Sequence, residues 1–151
     1  MLHVALWEPE IPPNTGNVAR LCAATGAVLH LVGRLGFRLD DRHLRRAGLD
    51  YWPHVTVRLH ATVDEFEAAV TGSRIIPLSS KTERPYTCER YRDGDCLLFG
   101  SESKGLPASV LTRHAGLAVT IPMPAGRVRS LNLATAVGIV LYEALRQLHD
   151  W

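Results

Sequence analysis

No apolar run in this chain approaches the ~20 residues that a bilayer-spanning helix needs, so a membrane protein is excluded as a reading. The start, "MLHVALWEPE", has no basic segment and meets an acid and a proline early, which disfavours a secretory signal and makes the cytoplasm the expected compartment. Cysteine is scarce and odd in number: Cys22, Cys88 and Cys96 lie far apart and outside any C-x-x-C pattern. A disulfide framework or zinc site is thereby disfavoured, and reduced, buried thiols are expected. Charge of one sign is also lacking, since 17 basic residues against 15 acidic ones leave a net +2. That is far from the excess of a protein that coats nucleic acid.

Ready-made catalytic signatures are missing too. There is no P-loop, no G-x-S-x-G, no H-E-x-x-H and no other His/Cys metal spacing, so no metal is expected; the seven histidines are scattered. The turn after the first strand-like segment, "EPEIPPNTGN", has two adjacent prolines and one glycine. It cannot supply the close backbone approaches of a dinucleotide site.

What is present is alternation. At 151 residues, with no repeat, linker or low-complexity tract, one domain spanning 1–151 is expected. Strand-like segments are Leu2–Trp7, Val28–Val32, "HVTVRL", Arg74–Ser80, "CLLFG" and Leu117–Met123. Between them lie expected helices: one capped by Asn14 and stopped at Gly26, a short one over Asp40–Gly48, one over Thr62–Gly72 with Thr62 as cap, and one over 107–114 with proline at its first position. A long helix over Ser130–His149 closes the chain. Buried strands separated by helices predict an α/β fold with a mostly parallel sheet covered on both faces. Ligands of such sheets sit beyond the strands' carboxyl ends, which selects the loops after "IIPLSS", "CLLF" and "TIPM".

Three stretches carry unusual polar patterns. "NTGNVAR" places Asn14 at a helix start and Arg20 on the side opposite the Val18/Cys22 face. "GSESKGLP" (100–107) offers backbone N–H groups and an acid, Glu102, and "RVRSLN" brings Ser130 and Asn132 to the entry of the last helix. Singly, each reads as a cap or a turn, with Asn14 and Ser130 as plain N-caps. Separately, five arginines between Arg34 and Arg46 form a candidate phosphate contact.

Asn-x5-Arg, G-x-E-x-x-G-L-P and S-L-N, in this order, resemble the three motifs of the SPOUT, or trefoil-knotted, RNA 2'-O-ribose methyltransferases. "LWEPEIPPNTGNVARLCAATG", "HLRRAGLDYW" and "IPM" are similar, more narrowly, to the TrmL-type tRNA (cytidine/uridine-34)-2'-O-methyltransferases, over essentially the full length. The resemblance implies a deep C-terminal trefoil knot, which no rule of chain topology would have supplied. It implies S-adenosylmethionine as cofactor, held at Leu78, Gly100, Glu102, Ile121, Met123, Ser130 and Leu131. It implies a catalytic set of Arg20, Asn14, Ser130 and Asn132, with Arg20 serving the partner subunit of a homodimer. Glycine at 100 is then expected because a Cβ would crowd the ligand, and the apolar stripe of the last helix is expected to bury partly against the partner. The RNA partner is the tRNA anticodon stem-loop, with Arg20, Arg38, Arg42, Arg45, Arg46 and Arg129 as RNA-binding candidates. The extra Ala-Gly pair in "PMPAGRVRSLN" leaves the roles of Arg127 and Arg129 open, and the motifs leave open another RNA position or a non-catalytic RNA-binding dimer.

Overall fold

The computed structural model describes residues 1–39, 42, 46 and 52–151. Five strands, β1 (His3–Trp7), β2 (Val28–Val32), β3 (Val57–His60), β4 (Ile75–Pro77) and β5 (Cys96–Phe99), form one sheet in the order β3-β2-β1-β5-β4. Every strand pairing is parallel. β2 and β5 are buried at every position, as expected of strands covered on both faces. Their side chains alternate between two cores. Val4, Leu6, Leu97 and Phe99 point to the face covered by α1 (Pro12–Thr25) and the last helix, α4 (Leu133–His149). Ala5, Cys96 and Leu98 point to the other, covered by α2 (Val63–Ala69) and α3 (Ala108–Arg113). The α/β architecture read from the sequence is the one observed.

Element ends differ from expectation in instructive ways. α1 starts at Pro12, with prolines in its first turn and Ile11 as an N-cap making no side-chain bond. Prolines are harmless there because first-turn N–H groups lack helical partners, so Asn14 is not a cap and its amide serves elsewhere. Pro107 is the N-cap of α3 rather than its first residue. The cap of α4 is Asn132, not Ser130; its side-chain oxygen accepts from the N–H groups of Ala134 and Thr135 at 2.9 and 3.3 Å. Thr62 caps α2 as expected, accepting from the Glu65 N–H. Cys22 and Cys96 are buried and their thiols pushed up by burial, the former to about 12, but Cys88 is exposed, contrary to expectation. Of the expected Asp40–Gly48 helix only Arg42 and Arg46 are described, both helical and exposed; the rest of it, Arg45 included, lies outside the described residues.

The expected strand 117–123 shrinks to two bridges, because its neighbours are the arms of one loop rather than a sheet edge. Val119 donates its N–H to the Pro77 carbonyl and accepts from the Ser79 N–H, both at 2.9 Å. Thr120 does the same with the Arg84 carbonyl and the Tyr86 N–H, both at 2.8 Å. The segment therefore runs between the two arms of the 77–86 loop, bonded to each. Among the described residues no helix is long and apolar enough to cross a membrane.

Three histidines from adjacent strands form a hydrogen-bonded row. His30 Nε2 lies 2.9 Å from His3 Nδ1, and His30 Nδ1 lies 2.9 Å from His60 Nε2. Phe66 sets its ring edge against His30, which is fully buried. Burial, the flanking histidines and Arg58 lower the His30 pKa to about 3, and burial also lowers those of His3 and His60. The folded row stays neutral while the unfolded chain takes up protons below pH ~6.5, so stability falls with pH from there until the folded value near 3 is passed. His30 alone sets a slope approaching ~1.4 kcal/mol per pH unit in that window. Urea midpoints measured from pH 7 to pH 5 are expected to fall, and to fall less in His30→Leu.

Candidate active site

In the order β3-β2-β1-β5-β4, the chain leaves β1 toward β2 and returns to the sheet on the far side of β5. The carboxyl ends of β1 and β5 therefore flank the switch point where an open parallel sheet takes its ligand. A cavity of about 390 Å³ lies there, within the size range of small-molecule sites. The loop after β4 contributes Leu78, Ser79, Ser80 and Lys81; the loop after β5 contributes Gly100, Ser101, Glu102, Lys104, Gly105 and Leu106. The third wall is Ile121, Met123 and the 129–132 approach to α4. All three loops selected from the sequence meet in one cavity. So do all seven candidate cofactor residues: Leu78, Gly100, Glu102, Ile121, Met123, Ser130 and Leu131.

Asn14, Glu102 and Asn132, one from each motif, are joined by hydrogen bonds. Asn132 Nδ2 donates to Asn14 Oδ1 at 2.9 Å, and Asn14 Nδ2 donates to Glu102 Oε2 at 3.3 Å. The Glu102 carboxylate also accepts the N–H groups of Glu10 at 2.9 Å and Ile11 at 2.7 Å, at the open N-terminus of α1. Each amide orientation is thus dictated, since Asn132 already spends its oxygen on the α4 cap. Asn132→Ala removes the cap and leaves the buried Asn14 oxygen without its donor. The expected cost is ~2 kcal/mol, read as a lowered urea midpoint, with a larger loss of activity because the 129–132 wall loses its tie to the first motif.

The close approach at Gly100 is made by the protein itself. A Cβ there would lie 2.1 Å from the Gly105 carbonyl carbon and 2.3 Å from the Leu106 nitrogen. Glycine is required by the loop's own fold, where the sequence suggested room for a ligand. In the stripe of α4, Leu133, Val137, Val140, Leu141, Ala144 and Leu145 are buried in this chain's own core, and Leu148 is half-buried against it.

Arg20 is exposed and does not line the cavity. Arg38, Arg42 and Arg46 do not line it either, whereas Arg129 does. Sequence reasoning passed over Ser79, Ser80, Lys81, Lys104 and Thr120, which also line the cavity. The signal was available, since four of these stand within or next to loops already selected by the strand-end rule. Among the described residues no group of three or more His, Cys, Asp or Glu side chains is placed to hold a metal ion.

Residues 1–142 match the SpoU rRNA Methylase family. The tRNA (cytidine(34)-2'-O)-methyltransferase of Escherichia coli K12 is 48% identical over 149 residues, covering 98% of this chain and 94% of that protein. A putative enzyme of the same description from Synechocystis is 47% identical, covering 99% of both chains. A solved structure described as "Structural insights into the 2-OH methylation of C/U34 on tRNA" superposes with a TM-score of 0.95 at 53% identity, covering 100% of this chain and 98% of that one. The SpoU methyltransferase AviRb of Streptomyces viridochromogenes, solved with its cofactor AdoMet, superposes at 0.85 with 26% identity, over 100% of this chain and 62% of that one.

Proposed function

The chain belongs to the SpoU rRNA methylase family, and from that premise we propose that it methylates the ribose 2'-hydroxyl of the wobble nucleotide, position 34, of tRNA. The single observation that carries the reading is the convergence of three motifs on one cavity at the switch point. Its near-full-length likeness to tRNA (cytidine(34)-2'-O)-methyltransferases supports the address. S-adenosylmethionine fits the donor set: aliphatic Leu78, Ile121 and Leu131 suit an adenine ring, and the hydroxyls of Ser79, Ser80, Thr120 and Ser130 suit its polar groups. When bound, that cofactor supplies a methyl group on a sulfonium, activated for attack.

The chain's own residues would then have to align the ribose 2'-oxygen with that methyl group and provide for the proton that the hydroxyl loses on transfer. Arg20 is the residue assigned to that oxygen. A guanidinium stays charged in proteins and cannot take the proton, so Arg20 binds the adjacent phosphate and stabilises the developing alkoxide, leaving the proton to phosphate or water. Asn14 sits on α1, in the helix that also carries Arg20, and fixes that helix to the two other motifs through Glu102 and Asn132. Ser130 and Leu131 form the wall of the cavity beside Asn132.

Arg20 is exposed and outside its own cavity, which favours a homodimer in which it serves the partner's site. Ile11, Val128 and Tyr142 are exposed and suit such an interface. Arg38, Arg42, Arg45, Arg46 and Arg129 are the proposed phosphate contacts to the anticodon stem-loop, in a single-domain enzyme acting in the cytoplasm where tRNA is found. Incubation with methyl-labelled S-adenosylmethionine and total tRNA, followed by nuclease digestion and mass spectrometry, tests the reading. Label on ribose 34 is expected; label at another nucleotide, or none, defeats it.

A further inference from the structure

Six of the seven residues from Gly100 to Leu106 line the cavity, and the exception is Ser103. Ser103 is the residue that Glu10 holds from behind. Glu10 Oε1 accepts from the Ser103 N–H at 3.1 Å and from its hydroxyl at 2.6 Å. These bonds and the nearby Lys104 ammonium hold the Glu10 carboxyl below its ordinary range, so it is charged at neutral pH. The rest of the loop is a closed turn, with the Gly105 N–H on the Ser101 carbonyl at 2.9 Å and the Lys104 N–H on the Ser101 hydroxyl at 3.3 Å. Glu10 therefore grips the apex of a preformed unit.

The grip is made from an anchored backbone. The Glu10 N–H donates to Glu102 at 2.9 Å, so the loops after β1 and β5 are cross-latched, each carboxylate bonded to the other loop's N–H groups. On the opposite side the Gly36 N–H donates to the Pro9 carbonyl at 2.9 Å. A Cβ at Gly36 would stand 2.9 Å from Glu10 Cα, so Glu10 has no room to recede.

Resting on the proposed cofactor site, we propose that Glu10 is a positioning residue for cofactor binding: its carboxylate, through Ser103, holds the 100–106 turn in the shape that receives S-adenosylmethionine. It touches neither cofactor nor RNA. Its effect is confined to how much cofactor binding must first order the loop, a cost that a preorganised site avoids.

Calorimetric titration with S-adenosylmethionine alone, without RNA, tests this on the full-length protein. Glu10→Ala is expected to raise Kd about tenfold, the order of a lost hydrogen bond to a charged group. Ser103→Ala should do so less, because its N–H remains, and Ser103→Thr should restore the hydroxyl and the affinity. Glu10→Ala with Ser103→Ala should be no weaker than Glu10→Ala alone, since both remove one contact. In steady state the cofactor KM should rise with kcat at saturation and the RNA KM unchanged. Normal Kd in Glu10→Ala, or a lowered Tm with normal Kd, overturns the inference and leaves the cofactor site standing. Absence of binding to the unaltered protein overturns the cofactor site itself and the inference with it.

Discussion

Arg20→Lys is expected to lower kcat by about 10²–10³-fold, the usual penalty for losing one preorganised donor at a developing oxyanion. Cofactor affinity should be unchanged, because the role proposed for Arg20 is to bind the phosphate and alkoxide of the RNA and not the cofactor. Lysine keeps the charge but not the planar fork that holds a phosphate in a fixed orientation. Single-turnover transfer measured beside equilibrium cofactor binding separates the two effects. Near-normal turnover would remove Arg20 from the chemistry, and a parallel loss of cofactor binding would place it in the cofactor site instead. The shared-site geometry adds a further expectation, that the protein elutes as a dimer in light scattering.

The second large effect is expected at Gly100. Valine there would force atoms to within 2.1 to 2.5 Å of the Gly105 and Leu106 backbone, and backbone cannot rotate aside as a side chain would. The 100–106 turn must open, and with it most of one cavity wall. Cofactor binding should be lost at any practical concentration. Overpacking of this kind costs ~1–3 kcal/mol, which for a domain of this size lowers Tm by ~2–12 °C. The variant should fold, with a Tm reduced by that amount. Unchanged cofactor affinity would show that the turn adapts and that its shape does not govern binding.

Why some features were legible from sequence and others were not comes down to the range of the forces involved. Strands such as Val28–Val32 and Cys96–Phe99 declare themselves by continuous apolarity, and the parallel sheet follows from the helices between them. The strand-end rule then selected the three loops that meet at the cavity. Caps were less legible, because Asn14, Ser130 and Asn132 all suit a helix start and only tertiary contacts choose among them. Asn14 is taken by Glu102, 88 residues away in sequence, and Asn132 is left to cap α4. The 117–123 segment looked like a strand because it is apolar and β-rich; its partners are the two arms of one loop, which local pattern does not encode. The Glu10–Ser103 latch spans 93 residues and joins a half-buried glutamate to an exposed serine, so no periodicity could mark it. The histidine row is similar, since three scattered histidines align only once β1, β2 and β3 are in register.

One ribose oxygen, at position 34 of the tRNA, receives the methyl group. A tRNA carrying a single 2'-deoxy substitution at that nucleotide keeps the phosphates and bases while removing the attacking atom. Methyl transfer from labelled S-adenosylmethionine is predicted to vanish with it while the modified tRNA still competes for binding. Transfer continuing on the substituted tRNA would contradict the claim.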